Sequence, residues 1–183
     1  DLFGKQGAIG RGNIDNISIN LPRLALESVR DSKGCDISKR YEILKEKWIH
    51  VAEQTKDILL DRFEKTCQSD KDLFPTNQEC KLWCEDFSSN DLKDIFKHGT
   101  LSIGFIGLTE TIEILTGKKY WKDDDAYNLA LNFVRFMREY VDSQKNKYHL
   151  NFSLLATSGE LISGRFVDID KKLFDCDVLK KDY

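Results

Sequence analysis

Cys80, Cys84 and His98 are the residues whose types and spacing most readily suggest metal chemistry. Two thiols and an imidazole are ordinary zinc ligands. The i, i+4 spacing of the cysteines, beside Leu82 and Trp83, instead favours a helix face on which two small hydrophobes pack into a core. Cys35, Cys67 and Cys176 stand alone, and neither His50 nor His149 has a neighbouring Ser or Cys in sequence to make a nucleophile pair. Gly4, Gly7, Gly10 and Gly12 make a glycine-dense lead with the φ freedom of a loop. It ends in neither Gly-Lys-Ser/Thr nor Gly-x-Gly-x-x-Gly, so a phosphate-cradling loop is disfavoured. Asp123–Asp125 is a compact acidic run, best read as the start of a helix, where negative charge is stabilised.

The chain has 183 residues, enough for one domain with a real core. Its 40% hydrophobic and 32% charged residues are those of a globular protein. With 28 basic and 31 acidic residues, the net charge of −3 leaves no electrostatic footprint for nucleic acid. No apolar run approaches the roughly 20 residues of a membrane span. Five cysteines, an odd number, without an export signal favour reduced thiols and a cytoplasmic location.

The elements that must position these groups alternate. Ile17 to Leu24 reads as a short strand with Pro22 placing its end, followed by a helical segment from Arg23 to about Ser32 that Gly34 closes. Ile37, Tyr41, Leu44, Trp48, Val51, Thr55, Ile58 or Leu59, and Arg62 or Phe63 recur in steps of three and four. With Asp36 as cap, they predict a helix over 36–67, roughly 45–50 Å long. Asn77–Phe87 predicts a shorter helix, and Ser89 or Asn90 caps another that ends at His98-Gly99. Leu101–Ile106 predicts a buried parallel strand, and Thr109–Leu115 a helix stopped by Gly117. A helix then runs from Asp123–Asp125 through Val141, Leu150–Ala156 forms a third strand, and Gly159–Phe166 is a loop with one helical turn. The β-α-β-α-β order defines a helix-rich α/β fold with three mainly parallel strands joined by helical crossovers.

Three stretches carry a family resemblance in the same order. They are GRGN at Gly10–Asn13 leading into INLPRLAL at Ile19–Leu26, HGTLSIGFIGLTE at His98–Glu110, and NFSLLAT at Asn151–Thr157 with SGRF at Ser163–Phe166. Together they resemble the class III anaerobic ribonucleoside-triphosphate reductases, which are glycyl-radical enzymes. The resemblance implies that the chain is an internal fragment of a ten-stranded α/β barrel made of two half-barrels, each of five parallel strands. It would start the second half-barrel, just past the finger-loop cysteine that becomes a thiyl radical.

The same resemblance implies reduction of ribonucleoside triphosphates to their deoxy forms. The radical is installed on a C-terminal glycine by a radical-SAM activating protein and passed to the finger-loop cysteine. No stretch of this chain matches that cysteine, the radical glycine, the four-cysteine structural zinc site or the ATP-binding regulatory domain. No catalytic residue, metal ligand or cofactor contact of its own is therefore expected, and the nucleotide effectors belong to the full enzyme. Asn13 matches the family asparagine that lies near the substrate, where a neutral amide can hold ribose hydroxyls without competing as an acid or base. Arg11 and Asn20 match the pattern as further substrate-binding residues. A surface ion pair for Arg11 and backbone satisfaction at a strand edge for Asn20 stand equally open.

Gly104 and Gly107 are expected to let strand and crossover helix approach closely, which is favoured over the alternative that they open space in the barrel for substrate. Ser158-Gly159 stands where the family usually has a proline, and Leu161 where it commonly has a glycine, so that loop departs from the family pattern. The alternative to a reductase fragment is a standalone, non-catalytic binding module derived from the same fold. An open half-barrel would expose strand edges and an apolar face, inviting a partner or self-association.

Overall fold

The computed structural model describes residues 12–81, 88–174 and 183. Three strands, β1 (Asn13–Asn20), β2 (Thr100–Ile106) and β3 (Asn151–Ala156), form one parallel sheet in the order β1-β2-β3. The first crossover holds α1 (Leu21–Asp31), α2 (Ile37–Cys67), α3 (Pro75–Cys80) and α4 (Leu92–Phe96). The second holds α5 (Leu108–Thr116) and α6 (Asp124–Tyr148), and α7 (Glu160–Phe174) follows β3. The α/β, helix-rich architecture expected from the sequence is thus present.

The helix expected over Asn77–Phe87 is α3, which starts at Pro75 and ends at Cys80 with Lys81 in the left-handed region, and residues 82–87 lie outside the described residues. Two further local expectations need correction. The first strand is Asn13–Asn20, four residues earlier than its expected start. Pro22 opens a helix instead of ending a strand. It occupies the first turn of α1, where its missing N–H would have had no helical partner. Asn20 caps that helix by accepting from the Arg23 backbone N–H at 3.2 Å. The second correction concerns the segment after β3, which is a helix of 15 residues and not a loop with one turn. Its inward stripe, Ser163, Val167 and Asp170, carries two polar residues, so the hydrophobic period is diluted although the helical one is intact.

The long helix has its expected extent. Asp36 accepts from the Lys39 N–H at 2.9 Å at its start, and 31 residues at 1.5 Å each make it about 46 Å long. Leu44, Trp48, Ala52, Thr55, Lys56, Leu59 and Phe63 are its buried positions, which settles the sequence alternatives in favour of Leu59 and Phe63. On α6 the buried positions are Ala126, Ala130, Phe133, Met137, Val141 and Gln144. Asp123 caps α6, accepting from Ala126 N–H at 3.0 Å, and Asp124 and Asp125 lie in its first turn as the acidic run implied. Asp91 caps α4, accepting from the Lys93 N–H at 2.8 Å, one or two residues beyond the expected cap.

The chain gathers into two compact units, and each strand contributes to both. One comprises the described residues up to Ile17 with Gln54–Ile103 and Arg138–Leu154; the other comprises Ser18–Glu53, Gly104–Met137 and the described residues from Leu155 onward. Within the first, Phe74 meets Phe96 edge-on with centroids 5.1 Å apart, and Tyr148 lies 6.2 Å from Phe152. Within the second, Tyr41 packs edge-on against Phe133 at 6.0 Å and Trp48 against Phe136 at 5.7 Å. Side chains of this size, fully buried, each contribute about 1.5–3 kcal/mol.

At Gly107 the start of α5 approaches α1 closely. This glycine stands before α5 with φ +77°, and a Cβ there would run into the Pro22 ring of α1 and the Tyr183 side chain. That supports the expected close approach at this glycine. Gly107→Ala is expected to lower stability by about 1–3 kcal/mol, through left-handed strain plus the steric conflict. Urea unfolding of the two proteins measures the difference.

Candidate functional site

The three strands carry one polar side chain each toward a shared line of hydrogen bonds in the first unit. Asn13 heads β1, Ser102 lies inside β2 and Ser153 inside β3. Side chains at matching positions of neighbouring strands meet because strands lie about 4.8 Å apart and alternate residues share a face. Ser102 Oγ lies 2.9 Å from the Asn13 side-chain amide and 2.9 Å from Ser153 Oγ. Ser102 is buried, Ser153 half-buried and Asn13 exposed, so the line runs from the interior to a solvent-facing amide.

The neighbourhood of Asn13 is tightly specified. Gly12 C=O accepts from Thr100 N–H at 2.8 Å, which sets the register of β1 against β2. A Cβ on Gly99 would strike the Ile14 side chain, so these segments pack with no room to spare. Asp15 accepts from Arg62 of α2 at 2.9 Å. His98 is half-buried and its imidazole pKa is lowered, first by burial and then by the Lys97 ammonium; Asp94 partly opposes this.

A second cluster lies in the other unit. The Asp170 carboxylate on α7 has no solvent exposure and is ion-paired with the Arg23 guanidinium of α1 through Nε and a terminal nitrogen. It also accepts from Asn20 Nδ2 at 2.9 Å and from the Tyr183 hydroxyl at 2.7 Å. Arg23 in turn lies over the Phe174 ring, 5.6 Å from its centroid. Nearby, Ser18 and Thr157 hydroxyls share a hydrogen bond of 2.6 Å.

Of the three expected substrate-binding residues, Asn13 and Asn20 thus stand at opposite ends of β1. Asn13 belongs to the hydroxyl line, whereas the Asn20 amide caps α1 and bonds Asp170, a structural role. Arg11 lies outside the described residues. Sequence reasoning did not single out Ser102, Ser153, Arg23 or Asp170. For the two serines the signal was a hydroxyl inside an otherwise apolar strand; for Asp170 it was an acid at a core position of a helical period.

The cysteine-rich segment differs from expectation. Cys80 is exposed at the end of α3, not packed into a core, and Cys84 lies outside the described residues, as does Cys176. Among the described residues no three His, Cys, Asp or Glu side chains converge on a metal position. A cavity of about 420 Å³ in the first unit is lined by Leu60, Phe63, Tyr148 and His149 together with Lys93 and Lys97. Its lysines are paired with Glu64 at 3.4 Å and Asp94 at 3.0 Å, and none of Asn13, Ser102 or Ser153 lines it. No described helix is long and apolar enough to cross a membrane.

A parallel sheet with helical crossovers is the construction that α/β barrels and open α/β sheets share. The chain belongs to the family described as anaerobic ribonucleoside-triphosphate reductase, whose model matches residues 2–183. It is 30% identical over 174 residues to the anaerobic ribonucleoside-triphosphate reductase of Salmonella typhimurium, covering 93% of this chain and 23% of that protein. The corresponding Haemophilus influenzae reductase is 29% identical over 168 residues, covering 90% of this chain and 22% of that protein. The chain therefore spans about a quarter of the length of the curated relatives it matches. Among solved structures, the anaerobic ribonucleotide reductase of Thermotoga maritima with citrate in the active site is similar in fold. Its TM-score is 0.71 at 20% identity, over 97% of this chain and 30% of that one.

Two predictions follow from this geometry. Asp170→Ala leaves Arg23 without its carboxylate and is expected to cost about 3 kcal/mol of stability, the low end for a broken buried pair because Arg23 is partly exposed. Equilibrium denaturation reads this. Cys67 has its thiol pKa pushed up to about 11, by burial first and then by the Glu64 carboxylate. At pH 8 little of it is thiolate, so iodoacetamide is expected to modify the exposed Cys35 and Cys80 before Cys67, with the Cys67 rate still rising between pH 8 and 10. Peptide mass spectrometry over a time course checks the order.

Proposed function

We propose that this chain forms a wall segment of the catalytic barrel of an anaerobic ribonucleoside-triphosphate reductase, and that it contributes to the reaction by holding the substrate ribose through Asn13. The observation that carries this reading is the placement of Asn13. It is a solvent-facing amide at the head of a barrel strand, and the protein holds it through Ser102. Fixing a sugar against a reactive centre is a task of position, which a neutral, rigidly held amide can perform. Arg11 and Asn20 belong to the same proposed set by their match to the family pattern. The role of Asn20 as cap and partner of Asp170 accounts for that residue even without a ligand.

On this reading the full enzyme converts ribonucleoside triphosphates to deoxyribonucleoside triphosphates. The T. maritima reductase solved in complex with dATP and CTP supports nucleotides as the ligand class. The radical glycine, the thiol that attacks the sugar, the structural zinc and the ATP or dNTP effector sites belong to other parts of the enzyme. So does the contact with the radical-SAM activating protein.

The alternative, a standalone association module, draws support from α7. Leu161 is 92% exposed, and Ile162, Ile169 and Leu173 also face solvent. Such a stripe favours contact with further polypeptide, whether the remainder of a barrel or a second copy of the chain.

The chain alone is expected to show no conversion of ribonucleoside triphosphates in an anaerobic assay supplied with activating protein and reductant. Turnover by the isolated chain would overturn the wall-segment reading.

A further inference from the structure

The hydrogen bonds around Asn13 fix which end of its amide is available to a ligand. Three acceptors surround one side of the group: Ser102 Oγ at 2.9 Å, Thr100 C=O at 3.0 Å and Asp15 C=O at 3.2 Å. On the other side stands a donor, Asn16 Nδ2, at 3.2 Å. With Nδ2 toward the three acceptors, both of its protons are used and Oδ1 accepts from Asn16. Turning the amide over would press Oδ1 against two backbone carbonyls and set Nδ2 against another NH₂. Only the Ser102 hydroxyl, which can rotate, could satisfy either arrangement. Two carbonyls cannot rotate, so the orientation is set by the backbone.

The polarity then propagates. Asn13 Nδ2 donates to Ser102 Oγ, which leaves the single Ser102 proton for Ser153 Oγ at 2.9 Å. The amide protons of Asn13 are thereby engaged by the protein, while a carbonyl oxygen has two lone pairs and Asn16 uses one.

We propose that Asn13 meets its ligand as a hydrogen-bond acceptor, through Oδ1, and that the ligand supplies a hydroxyl proton. This rests on the proposed role of Asn13 in ribose binding and narrows it from an amide that could donate or accept to one that accepts. Thr100, Asp15 and Ser102 act as positioning groups behind it.

The test replaces hydroxyl by groups that differ in donor capacity. In a full-length reductase carrying this segment, dissociation constants are measured for a ribonucleoside triphosphate and for analogues with hydrogen or fluorine at the ribose 2′ or 3′ position. Fluorine can accept weakly but cannot donate. At one of the two positions the fluoro and deoxy analogues are both expected to bind about tenfold more weakly than the parent, and Asn13→Ala is expected to erase that discrimination. Should Asn13→Ala weaken the parent while the fluoro analogues bind as tightly as it does, the amide donates and the inference fails, with the ribose-binding role intact. Should Asn13→Ala bind every analogue as the wild type does, the ribose-binding role itself fails. A second measurement needs no variant: in the ¹⁵N-labelled chain, the Asn13 side-chain NH₂ protons are expected to exchange slowly with water. Rapid exchange of both would place Nδ2 in solvent and overturn the proposal.

Discussion

The Asp170 carboxylate is the interaction on which the second unit depends. A carboxylate without solvent exposure is costly unless its lone pairs are taken up, and here they are shared among Arg23, Asn20 and the Tyr183 hydroxyl. These partners come from the end of β1, the first turn of α1 and the far end of the sequence. The apolar contact between Leu26 of α1 and Val167 of α7, with Ile114, Phe174 and Tyr183 packed around it, lies beside this charge cluster. Apolar burial alone would tolerate small slips between the two helices. A guanidinium fork on a carboxylate has directional requirements that apolar contacts lack, so it fixes the register in which those residues pack.

The first unit solves a different problem with weaker groups. Its polar line uses an amide and two hydroxyls, all neutral, and their satisfaction requires only that the three strands hold their register. Gly12 to Thr100 sets β1 on β2, and Gly99 admits Ile14 where a side chain would not fit. The result is a line of neutral hydrogen-bonding groups that ends at an exposed amide, with the Asp15–Arg62 ion pair two residues further along β1.

Much of this was legible in the sequence. The β-α-β-α-β order, the long helix and the acidic cap of α6 follow from hydrophobic period and capping residues, and those signals dominate wherever packing agrees with local preference. The family was legible from three ordered motifs. What was not legible shares a cause. Pro22 and Asn20 read equally well as the end of a strand and the start of a helix; the choice depends on Asn20 reaching both the Arg23 N–H and Asp170. The helix α7 was hidden because Ser163 and Asp170 occupy core positions that a hydrophobic pattern cannot recognise. Ser102 lies within one of those motifs, yet its contact with Asn13 spans 89 residues of sequence and is invisible to any local reading.

That separation also has a consequence for how the chain is made. Asn20 and Asp170 are 150 residues apart, and Ser18 and Thr157 are 139 apart. Entropy charges such long closures only slightly more than short ones, but contacts of this range form slowly. At ribosomal speeds of about 5–20 residues per second, roughly 8–30 s separate the synthesis of Asn20 from that of Asp170. During that interval Arg23 lacks Asp170 and Leu26 lacks Val167, so α1 rests on α5 without α7, and the register that the buried ion pair imposes is the last to be set.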